Sequence, residues 1–212
     1  MLKCRNNGDL MYEYELELIK NGCKYIAGVD EVGRGPLVGP VVAACVIMPL
    51  NFELEGLNDS KKLTEKKRDL FYDYIINNCL AYSVIEISPA EIDEINIYQA
   101  SKKAMTLAIE EVFKKIKIDH VLVDAMPLNI DLPSTSIIKG DTKSLTIAAA
   151  SVLAKVHRDK LMYQLDSEYP HYGFKNHKGY PTKQHLENIK KYGIFKEYRK
   201  TYGPVREVIN ES

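Results

Sequence analysis

The stretch GVDEVGRGPLVGPVVAA, residues 28–44, places two acidic residues and a glycine-rich turn between two apolar runs. Residues 24–30 (KYIAGVD) and residues 41–48 (VVAACVIM) have the apolar character of buried strands. The connection between them is short and rich in glycine and proline, which is typical of a tight turn rather than a helix. We therefore predict a pair of neighbouring strands, with Asp30 and Glu31 where the first strand gives way to the turn.

Strands and helices alternate in the sequence that follows this pair. Thr64 is suited to be the N-cap of the first predicted helix, which runs to Asn78. Thr182 is suited to cap a last helix that ends at Gly193. This order indicates an α/β architecture, a mixed β-sheet flanked by helices. Between the two capped helices the pattern predicts strands at 80–87, 120–123 and 136–138 and helices at 97–116 and 145–165.

The composition is that of an ordinary globular protein. Of the 212 residues, 45% are apolar and 27% are charged, which excludes a disordered or fibrous chain. The length indicates one domain with an appendage. Basic and acidic residues number 29 each, so a strongly basic nucleic-acid-binding tail is excluded. We divide the chain into an N-terminal helical extension (1–22), a main α/β domain (23–170) and a basic C-terminal helical segment (171–212) packed on the same domain.

The sequence contains no feature that suggests a membrane or an oxidising compartment. The longest apolar run, 41–48, is far shorter than the roughly 20 residues that a membrane-spanning helix needs. The N-terminus is too polar and acidic for a signal peptide. The four cysteines are widely spaced and form no CxxC pair, so we expect reduced thiols and neither disulfides nor a zinc site. These features predict a cytoplasmic protein without a membrane partner.

Charge is distributed unevenly along the chain. Residues 171–212 contain nine Lys or Arg and four Asp or Glu, a balance of +5, whereas the first 170 residues carry 20 basic and 25 acidic residues, a balance of −5. A basic lobe beside an acidic site is what an enzyme needs to bind both metal ions and a polyanion. A bias this small is equally typical of a solvated helical face, so the sequence leaves both interpretations open.

Four carboxylates stand out because of their positions in the predicted elements. Asp30 and Glu31 follow an apolar strand. Asp124 ends another strand, and Asp141 lies in a KGD turn just before a helix. Strand ends and helix starts are where α/β sheets bind ligands, and clustered carboxylates are costly to desolvate without cations. Oxygen ligands suit Mg²⁺ or Mn²⁺, and two such ions roughly 3.5–4 Å apart can drive phosphodiester hydrolysis.

Each of these acids also has an ordinary structural interpretation. Asp141 is suited to be a helix N-cap, and Asp124 fits a strand-ending turn. Asp30 and Glu31 are adjacent, so regular strand alternation directs them to opposite faces of the sheet. Both can serve one site only if the backbone bends at Gly33.

Taken together, these segments resemble the sequence signature of the type 2 ribonucleases H, the ribonuclease HII family. The resemblance covers roughly residues 24–206 and rests on several motifs in the family's order. These motifs are GVDEVGRGPLVGPVVAA (28–44), LNDSKKL (57–63), EIDEINI (91–97), LVDA (122–125), KGD (139–141), AAASVLAKVHRD (148–159) and YGFKNHKGYPTKQH (172–185).

The resemblance implies an RNase H-like fold and hydrolysis of the RNA strand in RNA–DNA hybrids. It also implies nicking of duplex DNA on the 5′ side of a single embedded ribonucleotide, as in ribonucleotide excision repair and RNA primer removal. The products are expected to carry 3′-hydroxyl and 5′-phosphate ends. Two divalent cations, Mn²⁺ or Mg²⁺, are implied as cofactors. The family's metal-binding catalytic acids match Asp30, Glu31, Asp124 and Asp141.

The family's junction-sensing GRG matches Gly33, Arg34 and Gly35. A 2′-hydroxyl distinguishes a ribonucleotide from its deoxy neighbour. Reading it requires a close approach of the backbone to the sugar, which glycine permits. Arg34 adds a cation that can hold the adjacent phosphate. Tyr180, in HKGYPT, matches the family tyrosine that packs on the sugar after the ribonucleotide.

Further substrate contacts are expected from polar loops that suit phosphate groups. Such contacts position a duplex without reading its sequence. Asp159 is a fifth acid near these motifs, and we interpret it as a helix-face charge paired with Arg158, Lys155 or a neighbour. The candidate phosphate contacts are Asn58, Ser60, Lys61, Lys62, Lys143, Ser144, His177 and Lys178.

Three other functions compete with this interpretation. The sister type, ribonuclease HIII, prefers runs of ribonucleotides, but GRG and the lack of a large N-terminal substrate-binding domain argue against it. A junction resolvase has no reason to carry GRG and HKGY together, and a non-catalytic hybrid binder has no need for four intact acids. The expected partners are RNA–DNA hybrid and ribonucleotide-containing duplex DNA, bound by a monomer. The tail YGPVREVINES shows no clear partner-binding peptide, so docking to replication proteins stays open.

Overall fold

A mixed five-stranded β-sheet organises the fold. The structure, a computed structural model, describes residues 11–50, 52 and 64–211. The strands in chain order are β1 (Ile26–Val32), β2 (Val41–Ile47), β3 (Ala81–Ile87), β4 (His120–Asp124) and β5 (Ser134–Ile137). Their order across the sheet is β3-β2-β1-β4-β5, which places β1 at the centre.

The strand directions confirm the predicted α/β class with a mixed sheet. β1 is antiparallel to β2 and parallel to β4. β2 is antiparallel to β3, and β4 is parallel to β5. Residues 125–133 connect β4 to β5 without a helix, although parallel neighbours are usually joined by a helical crossover.

Helices cover both faces of this sheet. They are α1 (Glu13–Lys20), α2 (Glu65–Asn78), α3 (Pro89–Ile95), α4 (Ile97–Phe113), α5 (Leu145–Glu168), α6 (Phe174–His177), α7 (Lys183–Tyr192) and α8 (Gly203–Glu211). Side chains of β2 alternate between two cores, since Val41 and Ala43 pack with α4 while Val42 and Ala44 pack with α2 and α5. Every residue of β2 is buried, which explains its continuous apolar sequence.

Small residues allow α5 to approach the centre of the sheet closely. A side-chain carbon on Gly28 in β1 would lie only 2.3 Å from the backbone carbon of Thr146. The alanines of α5, including Ala148 and Ala150, are fully buried against β1 and β2. The start of α5 is therefore held directly against the strand that carries Asp30.

A third apolar core ties the C-terminal part of the chain to the turn after β1. Leu37 and Val38 from that turn pack with Phe174 of α6, Ile189 of α7 and Val205 of α8. Val38 also forms an isolated antiparallel bridge with Tyr198. The C-terminal segment thus packs on the main body of the protein at the GRG turn. The boundaries that we drew at residues 22 and 170 stay a prediction.

The predicted elements match the structure closely, with three omissions. The caps at Thr64 and Thr182 are confirmed, since their side chains accept hydrogen bonds from the amides of Lys67 and His185. The prediction that α7 is the last helix is wrong because α8 follows it. α3 and α6 also went unpredicted, since helices of seven and four residues are too short to show a helical period.

Within the described ranges no helix is long and apolar enough to cross a membrane. Cys23, Cys45 and Cys79 are free thiols.

Two buried histidines in the third core make stability depend on pH. His185 is fully buried, stacks on His177 with ring centroids 4.3 Å apart, and contacts the carbonyl of Tyr180 and the hydroxyl of Tyr198. Desolvation lowers the pKa of His185 to about 4. His185 is therefore protonated more readily in the unfolded chain than in the native protein. Its contribution to the free energy of unfolding is present above about pH 6.5 and is lost as the pH falls toward 4.

We expect His185→Gln to reduce the fall in unfolding free energy between pH 6.5 and pH 4, because this variant lacks the titrating ring. The contribution of this residue is at most about 3 kcal/mol. Chemical denaturation at several pH values measures it. His171→Gln, at an exposed position, serves as the control and should retain the wild-type slope. An identical slope in His185→Gln would contradict this origin of the pH dependence.

Candidate active site

Two adjacent parallel strands deliver Asp30 and Asp124 side by side. Val29 of β1 is paired with Val123 of β4, so the next residue on each strand is an aspartate. Neighbouring strands lie about 4.8 Å apart, and parallel strands end at the same edge of the sheet. Asp30 is 4% exposed, and Asp124 is half-buried. The sheet alone therefore brings two of the four predicted acids together.

Asp141 lies on a 3₁₀ turn, Gly140–Thr142, which docks on the end of β4. The amide of Gly140 donates to Oδ1 of Asp124 at 2.6 Å. A side-chain carbon on Gly140 would approach the same oxygen within 3.1 Å, so glycine permits this contact. Asp141 itself is 5% exposed. The turn thus adds a third buried carboxylate to the edge where β1 and β4 end.

Glu31 joins the same group although it directly follows Asp30. Its amide donates to Oδ1 of Asp30 at 2.7 Å, and its Oε1 lies 3.4 Å from the guanidinium of Arg34. Its Oε2 is buried and has no hydrogen-bond partner among the described residues. Glu31 lies within β1, paired with Ala43, and Gly33 takes φ +93° directly after the strand ends.

The four carboxylates are close enough that the charge of one raises the pKa of another. Desolvation raises the pKa of Asp30 well above its usual range, and the charges of Glu31, Asp124 and Asp141 raise it further, against a hydrogen bond from Ser151. Desolvation likewise raises the pKa of Glu31 to about 7, with Asp124 adding to the rise and Arg34 opposing it. The carboxylates of the site therefore carry more negative charge than Arg34 and the neighbouring hydrogen-bond donors neutralise.

This donor set fits a hard divalent cation. All of its ligating atoms are carboxylate oxygens, and the buried Oε2 of Glu31 is an acceptor in need of a positive partner. As the side chains stand, no three acidic, histidine or cysteine residues of the described ranges enclose a metal position. The assignment of Asp30, Glu31, Asp124 and Asp141 as ligands stays a prediction that the chemistry of the site supports.

Replacing Asp30 tests whether repulsion strains the metal-free protein. Because the folded pKa of Asp30 is raised, the wild type loses stability as the pH rises and its carboxyl ionises. We expect Asp30→Asn to be about 0.5–2 kcal/mol more stable than the wild type at pH 8 with a chelator present, and to lose this advantage toward pH 5.

Denaturation of both proteins at the two pH values measures this difference. Asp131→Asn removes an exposed carboxylate and should behave as the wild type. If Asp30→Asn is less stable than the wild type at pH 8, the site is not strained by its charges.

The predicted sensor residues lie next to this acidic site and against Tyr180. A side-chain carbon on Gly35 would meet the Tyr180 ring at 3.2 Å, so the ring packs directly over this glycine. A side-chain carbon on Gly33 would lie 2.3 Å from Nε of Arg158. Arg34 and Tyr180 are exposed. The structure thus brings together the GRG turn and the tyrosine, which are far apart in sequence.

Two buried arginines hold this turn, and the sequence did not reveal them. Arg199 is fully buried and donates to the carbonyls of Gly33 at 2.6 Å, Arg34 at 3.1 Å and Gly39 at 2.8 Å. The hydroxyl of Tyr202 also donates to the Arg34 carbonyl at 2.6 Å. Fully buried arginines without carboxylate partners are rare. The sequence around a buried arginine does not differ in pattern from that around an exposed arginine.

Arg158, which lies on α5, also binds backbone carbonyls of the turn after β1. It donates to the carbonyls of Val38, Pro40 and Lys178, and so connects the turn after β1 with the HKGY motif. Asp159 is expected to pair with Arg158, Lys155 or a neighbour. It pairs with Lys155 at 2.7 Å and with Arg68 at 3.6 Å, which confirms this expectation.

The structure corrects two of the expected phosphate contacts. Ser144 is fully buried, and its hydroxyl lies between the amide of Ile147 and the carboxylate of Glu15. His177 is 8% exposed, and its two ring nitrogens contact the carbonyl of Tyr172 and the amide of Gly179. Neither side chain is available to a duplex, because both are committed to holding the backbone.

The remaining expected contacts are placed differently. Lys143 is exposed beside the turn of Asp141. Lys178 is half-buried, with its ammonium group 3.8 Å from the centre of the Tyr163 ring. Asn58, Ser60, Lys61 and Lys62 lie outside the described residues.

Comparison with known proteins places these residues in a family. A family model described as Ribonuclease HII matches residues 27–202. The ribonuclease HII of Bacillus cytotoxicus is 54% identical over 199 residues, which make up 94% of this chain and 76% of that protein.

Solved structures agree with these matches. The ribonuclease H2 of Pyrococcus horikoshii OT3 aligns with a TM-score of 0.75 and 28% identity over 88% of this chain and 98% of the other. The RNase HII of Archaeoglobus fulgidus, solved in a complex with PCNA, aligns with a TM-score of 0.69 and 25% identity over 84% of this chain and 95% of the other.

Proposed function

Because the chain belongs to the ribonuclease HII family, we propose that it nicks duplex DNA on the 5′ side of single embedded ribonucleotides, using two divalent cations. As a member of this family it is a metal-dependent ribonuclease H, and it acts on RNA–DNA hybrids. The finer proposal assigns it to ribonucleotide excision repair and RNA primer removal. The packing of Tyr180 on Gly35, beside the four acids, is the observation that supports it best.

Asp30 and Asp124 are proposed as the central metal ligands because adjacent strands present them together. Glu31 and Asp141 complete the ligand set from the end of β1 and from the 3₁₀ turn. A pair of Mg²⁺ or Mn²⁺ ions supplies activation of the attacking water and stabilisation of the departing 3′-oxygen. The raised pKa values of Asp30 and Glu31 mean that these side chains release protons when they bind a cation near neutral pH.

Recognition of the ribonucleotide is assigned to Gly33, Arg34, Gly35 and Tyr180. The carbonyls of Gly33 and Arg34 are already bound by Arg199 and Tyr202, which fixes the peptide planes before substrate arrives. The absence of side chains at the two glycines permits the sugar to approach the backbone. Arg34 is exposed and can pair with a neighbouring phosphate, and the Tyr180 ring can pack on the following sugar.

Backbone phosphates are assigned to exposed lysines beside Asp141 and on the segment that carries Tyr180. Lys143 flanks the turn of Asp141, and Lys175, Lys183 and Lys190 are exposed on the segment that carries Tyr180. Contacts of this kind orient a duplex and make its binding sensitive to salt. Lys175, Lys183 and Lys190 also pair with Asp166, Glu187 and Glu211, so the basic-lobe interpretation of residues 171–212 stays a prediction.

The first experiment uses a DNA duplex with one embedded ribonucleotide, incubated with Mg²⁺ and, separately, with Mn²⁺. We expect one nick on the 5′ side of the ribonucleotide. In Asp124→Asn its rate should fall more than about 100-fold, since even outer-shell partners of metal ligands contribute about 10–100-fold. Asp131→Asn is the control with an equal change of charge.

A protein that cuts a four-ribonucleotide tract but leaves the single ribonucleotide intact would match the sister type, ribonuclease HIII. The GRG segment would then be a turn and not a sensor. Full activity in Asp124→Asn would refute the ligand assignment.

Tyr180→Ala tests the sensor separately from the metal site. Because stacking on an aromatic ring contributes about 1–3 kcal/mol, nicking at a single ribonucleotide should fall roughly tenfold or more. Tyr180→Phe should keep most of the rate, and Tyr98→Ala, at an exposed tyrosine of α4, should keep all of it. Equal loss on all substrates together with weaker Mn²⁺ binding would contradict a sensor role, because a sensor variant leaves the metal site intact.

The proposal extends to compartment and assembly. Free thiols at the described cysteines support a cytoplasmic protein, and we propose that it acts as a monomer. Docking to a replication protein is supported by the Archaeoglobus fulgidus relative, which was solved in a complex with PCNA.

A further inference from the structure

Helix α1 places a carboxylate inside the protein close to the acidic site. Glu15 is 1% exposed, whereas Glu13 and Glu17 on the same helix are exposed. A buried carboxylate is costly unless its oxygens accept hydrogen bonds or pair with a cation. α1 also precedes the region that the family model matches. The contacts of Glu15 show what this buried charge does.

One oxygen of Glu15 accepts three hydrogen bonds from the start of α5. Oε1 lies 2.6 Å from the hydroxyl of Ser144, 3.0 Å from the amide of Thr146 and 2.9 Å from the hydroxyl of Thr146. The Ser144 hydroxyl also accepts from the amide of Ile147 and so caps α5. A negative charge at the N-terminus of this 24-residue helix is favoured by the helix dipole as well.

The start of α5 is continuous with the turn that carries Asp141. The amide of Ser144 donates to the carbonyl of Gly140 at 2.8 Å, and the amide of Gly140 donates to Asp124 at 2.6 Å. Asp141 therefore lies in a short turn held at both ends. Glu15 restrains the end at Ser144, and Asp124 restrains the end at Gly140.

α1 also covers a small apolar core directly under this turn. Leu18 and Ile19 of α1 pack against this core, which consists of Ile26, Leu122, Ile137 and Ile147. Ile147 in turn touches Gly140, where an added side-chain carbon would lie 2.6 Å from its Cδ1. The helix thus supports the turn of Asp141 through both a polar and an apolar contact.

We propose that Glu15 is a positioning residue for the metal site, and that it sets cation affinity by fixing the start of α5 and hence the position of Asp141. The proposal rests on the metal-site assignment made under the proposed function and adds a residue to it. Glu15 contacts neither cation nor substrate in this arrangement. Residues that orient metal ligands in this way affect metal affinity strongly.

The test measures Mn²⁺ binding by titration calorimetry in full-length Glu15→Ala, Glu15→Gln and Glu17→Ala. Glu15→Ala leaves two hydroxyls and one amide without their acceptor, and its Mn²⁺ affinity should fall about tenfold. Glu15→Gln keeps an amide oxygen for these donors and should retain most of the affinity. Glu17→Ala removes an exposed carboxylate from the same helix and should bind Mn²⁺ as the wild type does.

Hybrid cleavage supplies a second readout. In Glu15→Ala the Mn²⁺ concentration for half-maximal cleavage should rise, while the rate at saturating Mn²⁺ returns to near the wild-type value. A folded Glu15→Ala protein with a lower melting temperature but unchanged Mn²⁺ affinity would overturn the proposal, since Glu15 would then only stabilise the fold.

Thr146→Val provides the comparison if Glu15→Ala does not fold, because it removes one donor to Glu15 and preserves the side-chain shape. Weaker Mn²⁺ binding in this variant supports the proposal, and unchanged binding overturns it. Failure of the underlying metal-site assignment gives a different result, since the wild type and Asp124→Asn would then bind Mn²⁺ equally.

Discussion

Repulsion among buried carboxylates is the constraint on which the rest of this structure depends. Asp30 and Asp141 are almost fully buried, and the pKa of Asp30 is raised by burial and by three neighbouring acids. Such a group of charges would move apart or draw in water unless rigid elements held it. The centre of a sheet and the start of a long helix provide that rigidity. The centre of the sheet thus carries a cluster of mutually repelling side chains.

The two functions of the site depend on different parts of the chain. The acids belong to β1, β4 and the turn before α5, all within the main body of the protein. The GRG turn is held by Arg199 and Tyr202, which follow α7, and is covered by Tyr180, which precedes it. The proposed metal ligands and the proposed ribonucleotide sensor meet at β1, because Glu31 and Gly33 are only two residues apart.

Much of this arrangement could be predicted from sequence because its signals are local. Continuous apolar strands, threonine caps at Thr64 and Thr182, and acids at strand ends each follow from a few neighbouring residues. The motif order then indicated a family, and the structure places the Tyr180 ring against Gly35.

The features that sequence did not reveal depend on distant partners. Ser144 looks like an ordinary polar loop residue, yet it is buried and bonded to Glu15, 129 positions away. Arg199 looks like one more exposed base in a basic tail until its carbonyl partners are seen. The same is true of Glu15, whose neighbours at 13 and 17 are solvated acids on the same helix.

The bond between Arg199 and Gly33 has a consequence for the order in which the protein matures. These residues are 166 positions apart, so the loop that they close spans most of the chain. During synthesis the strands bearing Asp30 and Asp124 leave the ribosome long before Arg199 does. A nascent or prematurely terminated chain can therefore assemble its acidic cluster while the recognition turn still lacks its anchor. We expect the proposed selectivity to be acquired last, when the final segment docks, and a truncated product to lack the turn geometry that we propose for discrimination.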